Sequence, residues 1–344
     1  MGSKAAAVQR ERRGGMGVGK VLVTGATGFT GGALARRLAS DGTPVRALVR
    51  DTARAAALAP LRIEIVEGDL RDPASLCKAL NGVDSVYHIA GLFRHEGVER
   101  QAFEHVNAKG VQHLLDASIA AGVTRFVHCS TVGVHGHVAH PPATEDAPLA
   151  PSDPYQLSKL EGERIAARYI AEERLPISIF RPAGIYGPGD LRFVKLFRGV
   201  KRGRFPMIGS GQVLYHCVYI DDLVDGIIKC GTLDAAIGET FILAGPEYTT
   251  LNDLVGIVAA EFGTRPPWLK IPLPPVYWAA AACEAICRSL KLEPPLHRRR
   301  VDFFAKSRAF DISKARRILG YDPQMSVREG VALTAAWYAE HGLL

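Results

Sequence analysis

Several signals that would assign this chain to a familiar class of protein are missing from its 344 residues. It contains no run of about 18 uncharged apolar residues, so we expect no membrane-spanning helix. The six cysteines form no Cys-x-x-Cys pair, which predicts reduced, buried thiols rather than a metal centre. Gly-x-Ser-x-Gly and Walker lysine patterns are also missing, which argues against serine hydrolases and phosphoryl-transfer enzymes.

The N-terminus and the distribution of charge narrow the class further. Residues 1–19 have no apolar signal-peptide segment, so we expect a disordered leader there and a cytoplasmic protein. The net charge of +7 is concentrated in 191–204 and 288–317, either as solvated helix faces or as a field that attracts an anionic cofactor or substrate. Aromatic residues are not interleaved with these basic runs, so we expect no nucleic-acid partner.

Short β-branched runs alternate with amphipathic segments from residue 20 to about residue 180. The predicted strands are 20–24, 45–49, 63–66, 85–89, 125–129 and 177–180, and the predicted helices are 31–40, 72–80, 103–121 and 155–172. This alternation predicts an α/β fold with a doubly wound parallel sheet of the Rossmann type.

The pattern changes after about Arg192, where alternation loosens and prolines cluster. We therefore expect a cofactor-binding domain over 20–190 and a smaller C-terminal lobe over 191–344 that holds most of the substrate site. Segments within about 215–245, namely Val218–Ile220 and Thr240–Leu243, are predicted to return as strands to the main sheet.

A glycine-rich turn directly follows the first predicted strand and opens the first helix. Its glycines recur every third residue, which permits a tight turn and close approach of a pyrophosphate. The unpaired N–H groups and the dipole at the helix N-terminus favour such an anion. The turn predicts a dinucleotide site formed by Gly25, Thr27, Gly28, Phe29, Thr30 and Gly31.

The end of the second strand bears on which dinucleotide is bound. Many NAD sites carry an acid there for the ribose hydroxyl, whereas an arginine accommodates the 2′-phosphate of NADP. Val49 stands in the acid's place and Arg50 follows it, which favours NADP. Asp51 keeps NAD open, and the alternative for Arg50 is an ordinary surface charge.

Tyr155 and Lys159 stand four residues apart on a predicted helix, so their side chains share a face. A neighbouring ammonium favours the phenolate form of tyrosine, which then exchanges a proton with a substrate hydroxyl while hydride moves to or from nicotinamide. Thr131 follows the fifth strand, at the sheet edge where such folds bind ligands, and is predicted to orient the substrate oxygen.

In combination, these residues resemble the extended short-chain dehydrogenase/reductase family, including its epimerase/dehydratase-like and 3β-hydroxysteroid-dehydrogenase-like members. The resemblance covers about 20–344, with landmarks at the glycine turn, 68–70, 88–91, Asn107, 130–131, Tyr155/Lys159 and 181–189. It implies a homodimer and further NAD(P) contacts by Asp69, Leu70, Ala90, Gly91, Asn107, Pro182 and Ile185, together with Tyr155 and Lys159.

Two departures from the family pattern narrow the reaction. Its dehydratases carry Asp-Glu after the active-site threonine, whereas Val132-Gly133 stand here, which argues against dehydration. Its sugar-nucleotide enzymes often carry Arg-Asp-Phe where this chain has 215–217, Tyr-His-Cys. The leading hypothesis is an oxidoreductase for a secondary alcohol or ketone. The alternatives are a nucleotide-sugar epimerase with tightly held NAD, and a cofactor-sensing protein without activity.

We expect the substrate to be a small molecule that is either anionic or lipidic. The apolar stretch 276–287 is either a wall for a lipidic substrate or an ordinary buried or dimer-facing helix. His135, His137 and His140 share one loop, but without an acid or cysteine at ligand spacing they predict a pocket rim and no metal.

Overall fold

A computed structural model describes residues 19–93, 99–290, 292 and 294–344. The expected leader at 1–19 therefore lies outside the described residues, apart from Gly19. The strands are β1 Val21–Thr24, β2 Val45–Val49, β3 Glu64–Glu67, β4 Ser85–His88, β5 Arg125–Cys129, β6 Ile177–Pro182, β7 Gly184–Tyr186, β8 Met207–Ile208, β9 Leu214–Tyr219, β10 Thr240–Leu243, β11 Tyr248–Thr250 and β12 Lys270–Ile271.

Helices connect these strands and cover the main sheet. They are α1 Phe29–Ser40, α2 Pro73–Leu80, α3 Arg100–Glu104, α4 Gly110–Ala120, α5 Pro154–Ala171, α6 Val194–Lys201, α7 Ile220–Thr232, α8 Leu251–Glu261, α9 Leu273–Ser289, α10 Arg298–Ala305, α11 Ser313–Leu319 and α12 Val327–Glu340. Short 3₁₀ segments occupy Thr52–Leu61, Val132–His135 and Asp234–Ala236, and a π-helical segment, His105–Lys109, joins α3 to α4.

The main sheet has seven parallel strands in the order β10-β6-β5-β4-β1-β2-β3. Successive side chains point to opposite faces, so Leu22 joins one hydrophobic core while Val21 and Val23 join the other. Both faces are buried, as parallel sheets require. The predicted doubly wound α/β fold of the Rossmann type is confirmed.

The strand order reverses between β1 and β4, which pair directly with each other. The chain leaves β1 toward β2 and leaves β4 toward β5, so the connections diverge and open a crevice at the carboxyl ends of these strands. Gly25 and Ala90 follow the two strands closely and line this crevice.

Two predicted returning strands have different outcomes. Thr240–Leu243 does join the main sheet, as β10 beside β6. Val218 instead lies in β9, which pairs with β7 and β11 in a separate three-stranded sheet, and Ile220 already begins α7. The expectation for Val218–Ile220 is therefore wrong. The reason is that β7, following Pro182, lies outside the main sheet and offers β9 an edge of its own.

Smaller expectations also need correction. All six cysteines are free, but only Cys129, Cys217 and Cys230 are buried, while Cys77 is exposed. The helix predicted over 103–121 begins earlier, at Arg100, and is interrupted by the π-helical segment. Within the described ranges, no helix is both long and apolar enough to cross a bilayer.

Candidate active site

The glycine turn is packed too tightly for side chains at two positions. Gly25 has a φ of 74°, and a Cβ there would lie 2.8 Å from the Ala90 nitrogen. A Cβ on Gly31 would clash with the Gly25 carbonyl oxygen. Glycine at these positions therefore lets β1, α1 and the end of β4 approach one another directly.

The N-terminus of α1 faces the crevice with its backbone donors free of side-chain caps. Gly28 is the N-cap and makes no side-chain hydrogen bond, and the first turn contains no acid. Such an end provides N–H groups and a positive dipole for a pyrophosphate. At this turn Thr27 is exposed, and Phe29 and Thr30 are half-buried; their contacts with a dinucleotide stay a prediction.

A buried threonine that the sequence analysis did not single out ties the two crevice strands together. The Thr24 hydroxyl lies 2.8 Å from His88 Nδ1 and accepts a hydrogen bond of 3.0 Å from the Ala90 N–H. Because it spans β1 and β4 at the switch point, it fixes the path of Ala90 and Gly91. Only the three-dimensional pairing of these strands reveals this contact.

Helix α5 carries the predicted Tyr155/Lys159 pair at its start. The Asp153 side chain accepts a hydrogen bond from the Gln156 N–H at 2.8 Å, and Pro154 occupies the first turn, which is a favourable helix start. Tyr155 is half-buried. Lys159, one turn later, is 3% exposed.

The Lys159 ammonium lies at the carboxyl end of β5, where it donates to the Cys129 carbonyl. Burial lowers the pKa of Lys159, because desolvation penalises its charged form. A Cβ on Gly91 would lie 3.7 Å from its Nζ, so the ammonium lies close to the backbone that follows β4. The cation is thus adjacent to the predicted cofactor path.

Asn107 braces this cofactor path against α5. Its Oδ1 accepts from the Leu92 N–H at 2.7 Å, and its Nδ2 donates to the Leu92 carbonyl at 3.0 Å and to the Ser158 hydroxyl at 2.9 Å. The side chain is 1% exposed, and its oxygen would lie 3.2 Å from a Cβ on Gly91. Its contacts are those of a positioning residue.

Thr131 begins the 3₁₀ segment that follows β5. Its hydroxyl accepts from the Gly133 N–H at 3.1 Å. A Cβ on Gly133 would contact both this hydroxyl, at 3.2 Å, and the Gln156 side chain, at 3.3 Å. The threonine turn therefore packs on the first turn of α5, which brings Thr131 near the helix end that carries Tyr155.

An aromatic and cationic wall on the same side was missed by the sequence analysis. The Phe93 ring meets the Tyr155 ring edge-on, with centroids 5.2 Å apart. The Arg192 guanidinium lies 5.9 Å from the Phe93 ring and 5.7 Å from the Phe29 ring. Arg192 is itself held by Asp190, at 2.6 Å, so it connects the glycine turn with the surroundings of Tyr155. In the sequence, Arg192 stands out only as one of the basic residues of 191–204.

The remaining predicted contacts are spread along the sheet edge. Asp69 is bound to Arg71 at 2.7 Å, and this hydrogen-bonded pair lowers the pKa of Asp69. Arg50 is exposed just beyond β2. Leu70, Pro182 and Ile185 are buried in or beside the sheet.

The histidine loop differs from its prediction. His135 is 2% exposed and lies 3.0 Å from an Arg181 nitrogen, so it is part of the interior and not a pocket rim. His137 and His140 are exposed. Among the described residues, no three His, Cys, Asp or Glu side chains are grouped so that they could hold a metal ion.

A model of the NAD dependent epimerase/dehydratase family matches residues 21–244, from β1 through β10. The chain belongs to this family. The predicted relationship to the extended short-chain dehydrogenases/reductases is thereby confirmed, and the chain is an enzyme of the NAD dependent epimerase/dehydratase type.

The similarity to known relatives covers almost the full length of this chain. Sterol demethylase protein B of Methylococcus capsulatus is 30% identical over 94% of this chain and 99% of its own. The 2-alkyl-3-oxoalkanoate reductase of Stenotrophomonas maltophilia is 30% identical over 91% and 97%. The 3 beta-hydroxysteroid dehydrogenase/Delta 5→4-isomerase of Mycobacterium tuberculosis is 28% identical over 93% and 90%.

Solved structures show the same architecture. The crystal structure of gox2253 has a TM-score of 0.81 at 31% identity, covering 95% of this chain and 100% of its own. DesIV, a dTDP-glucose 4,6-dehydratase from Streptomyces venezuelae, has a TM-score of 0.74 at 28% identity over 93% and 97%. DesIV was solved with NAD and TYD bound.

Proposed function

We propose that this family member is an NAD(P)-dependent oxidoreductase that interconverts a secondary alcohol and a ketone. The observation that carries the proposal is the buried Lys159 ammonium, held at the carboxyl end of β5 one helical turn after Tyr155. Burying a cation costs free energy, so its position beside Gly91 is best explained by a chemical role.

The proposed mechanism assigns one task to each side chain. Tyr155 gives a proton to the carbonyl oxygen during reduction and takes it back during oxidation. Lys159 stabilises the phenolate form of Tyr155, and Thr131 orients the substrate oxygen. When bound, the nicotinamide supplies or accepts the hydride.

Two features of the site favour this reaction over other family reactions. Val132 and Gly133 are buried after Thr131, so this turn provides no carboxyl pair for water loss. On β9, Tyr215 stands where sugar-nucleotide enzymes often place an arginine, and its ring packs on Phe303 with centroids 4.7 Å apart. The reductase and hydroxysteroid dehydrogenase relatives carry names that also state chemistry at an alcohol or ketone.

The proposed substrate site lies between the 131–153 loop and the C-terminal lobe. Hydrogen bonds join these parts from Lys306 to Ser152, at 3.1 Å, and from the Ala143 N–H to the Ala309 carbonyl, at 2.9 Å. The division at residue 190, a small anionic or lipidic substrate and a homodimer are further parts of the proposal.

Replacing Tyr155 by Phe tests the proposed reaction. We expect kcat for ketone reduction to fall about 10²- to 10⁴-fold, because the proton donor is lost, while the Kd for NAD(P)H changes little. Consumption of NAD(P)H with a panel of 3-oxoalkanoate and 3-ketosteroid substrates measures the former, and cofactor fluorescence the latter.

Tyr248→Phe is the matched control, because this tyrosine is exposed on β11. Wild-type turnover by the Tyr155 variant would reject the assigned role. Purification with one non-exchanging NAD per chain, and no net consumption of external cofactor, would favour an epimerase instead.

We propose that the cofactor is NADP. Val49 is 3% exposed, and the Asp51 carboxylate caps the following segment by accepting from the Ala53 N–H at 2.9 Å. The Asp51 carboxylate is therefore already hydrogen-bonded within the protein, whereas Arg50 is exposed beside the expected ribose position. These contacts support a guanidinium–phosphate interaction over a carboxylate–ribose one.

Arg50→Ala tests the cofactor assignment. A charge-assisted hydrogen bond is worth about 1.5–3 kcal/mol, so NADPH should bind about 10- to 100-fold more weakly. NADH, which lacks the 2′-phosphate, should change less than about twofold. Fluorescence titration of both cofactors checks this, with the exposed Arg168→Ala on α5 as control. Equal losses for the two cofactors would show that Arg50 does not contact the phosphate.

A further inference from the structure

Helix α9 exposes apolar side chains, whereas an ordinary surface helix exposes polar ones. Its described exposed side chains are all uncharged and form one broad stripe along the helix: Pro274, Pro275, Tyr277, Trp278, Ala279, Ala282, Ala285 and Ile286. The charged Glu284 instead binds Arg298 of α10, accepting from its N–H and Nε at 2.8 Å each. A helix that packs only on its own protein would turn the apolar stripe inward.

This stripe belongs to a larger exposed surface, which we call the apolar face. Of the fifteen large hydrophobic side chains that are exposed in the described part of the chain, seven lie between 268 and 292. Trp268 is 88% exposed and Trp278 is 73% exposed. The apolar face comprises Trp268, Leu269, Tyr277, Trp278, Ile286, Leu290 and Leu292. Such clustering differs from the scattered apolar residues of a normal surface and marks an interaction site.

Basic residues border the apolar face. The segment 263–300 contains seven Lys or Arg against two Glu, and one of these, Glu284, is already paired. Arg265 and Lys270 are exposed on either side of Trp268. Strand β12 pairs with β8, which places 268–270 beside 205–207, directly after the exposed Lys201, Arg202 and Arg204.

We propose that the apolar face docks on the surface of a bilayer that contains anionic lipids. Tryptophan and tyrosine suit the headgroup region because one part of the ring is apolar and another is polar. Basic side chains around them are attracted to anionic headgroups. A second copy of this chain is a poorer occupant, because two basic rims would face each other.

Vesicle flotation of the full chain tests this proposal. We expect binding to phosphatidylcholine vesicles that contain phosphatidylglycerol, with weaker binding to phosphatidylcholine alone and release as salt is raised. Trp268→Ser combined with Trp278→Ser should weaken binding to the mixed vesicles at least about tenfold, because the apolar contact is lost. Arg265→Glu combined with Lys270→Glu should weaken binding to the mixed vesicles by about tenfold, because the attraction of these bordering basic residues to anionic headgroups is lost.

Control substitutions are available on α12, where Leu333 and Arg328 are exposed outside the apolar face. Leu333→Ser and Arg328→Glu should leave vesicle binding unchanged. The proposal is overturned if the wild-type chain does not float with the mixed vesicles, or if both double variants float as the wild type does. It is also overturned if the tryptophan variant converts a lipid-free dimer to a monomer in sedimentation velocity, since a second copy would then cover the face.

Discussion

At the scale of single residues, two buried histidines share the interior below the proposed site. His88 and His128 are register partners on β4 and β5, and their ring centroids stack 5.5 Å apart. Burial, with the Lys159 charge as a smaller contribution, lowers the pKa of His88 to about 3 and that of His128 well below its usual range. Both rings are therefore neutral in the folded enzyme at neutral pH, beside the lysine that the mechanism needs charged.

This pair predicts a specific loss of stability in acid. Between the unfolded pKa of 6.5 and the depressed folded values, the unfolded chain binds more protons, so the free energy of unfolding falls as pH falls. His128→Phe removes one histidine from this balance. We expect the decrease in unfolding free energy from pH 7 to pH 5 to be about 2 kcal/mol smaller than in the wild type.

Urea unfolding at the two pH values measures this difference. His105→Phe is the control, because it replaces a histidine that is exposed on the π-helical segment, outside the buried pair. Parallel pH profiles for His128→Phe and the wild type would show that the buried ring is not responsible.

At single residues, patterns within a short stretch of sequence could be predicted, whereas contacts between distant residues could not. The glycine spacing and the Tyr155/Lys159 interval are local patterns, and each was visible without coordinates. The contacts of Thr24 and Arg192 join residues distant in the chain, so spacing could not reveal them. His135 was misplaced for the same reason, since its interior position depends on Arg181.

At the scale of elements, a buried ion pair fastens the helix that carries Tyr155. Arg181 of β6 bonds Glu163 of α5, with one Nε–Oε2 distance of 3.1 Å. The same guanidinium donates to the Glu145 carbonyl at 2.8 Å, and the Glu145 carboxylate accepts from the Ile242 N–H at 2.8 Å. The pair thus links α5, β6, β10 and the loop after β5.

Removing one partner of this pair should be costly. Glu163→Ala leaves the Arg181 guanidinium buried without its carboxylate, and we expect a loss of about 3–5 kcal/mol in unfolding free energy. Glu161→Ala, on the same helix, breaks only an exposed pair with Arg164 at 3.7 Å and should cost less than about 1 kcal/mol. Denaturant titration of both variants compares them, and similar small losses would mean that the buried pair does not secure α5.

The order of elements was more predictable than their pairing. Alternating hydrophobic periods identified the six strands that make up most of the main sheet. The position of β9 was not predictable, because it depends on the separate edge that β7 provides after Pro182. The π-helical segment His105–Lys109 was also hidden, since its sequence continues the helical pattern while its backbone shifts to place Asn107.

At the scale of the whole molecule, the set of ligands that stabilise the folded chain distinguishes the proposed reaction from epimerisation. A ligand that binds only the folded chain stabilises it by about 2.7 kcal/mol at a concentration 100 times its Kd. NADPH should therefore raise Tm by several degrees. UDP, GDP and dTDP should leave Tm unchanged, because β9 has Tyr215 where sugar-nucleotide enzymes often place an arginine. A thermal-shift series measures each ligand, and stabilisation by a nucleoside diphosphate would transfer support to the epimerase alternative.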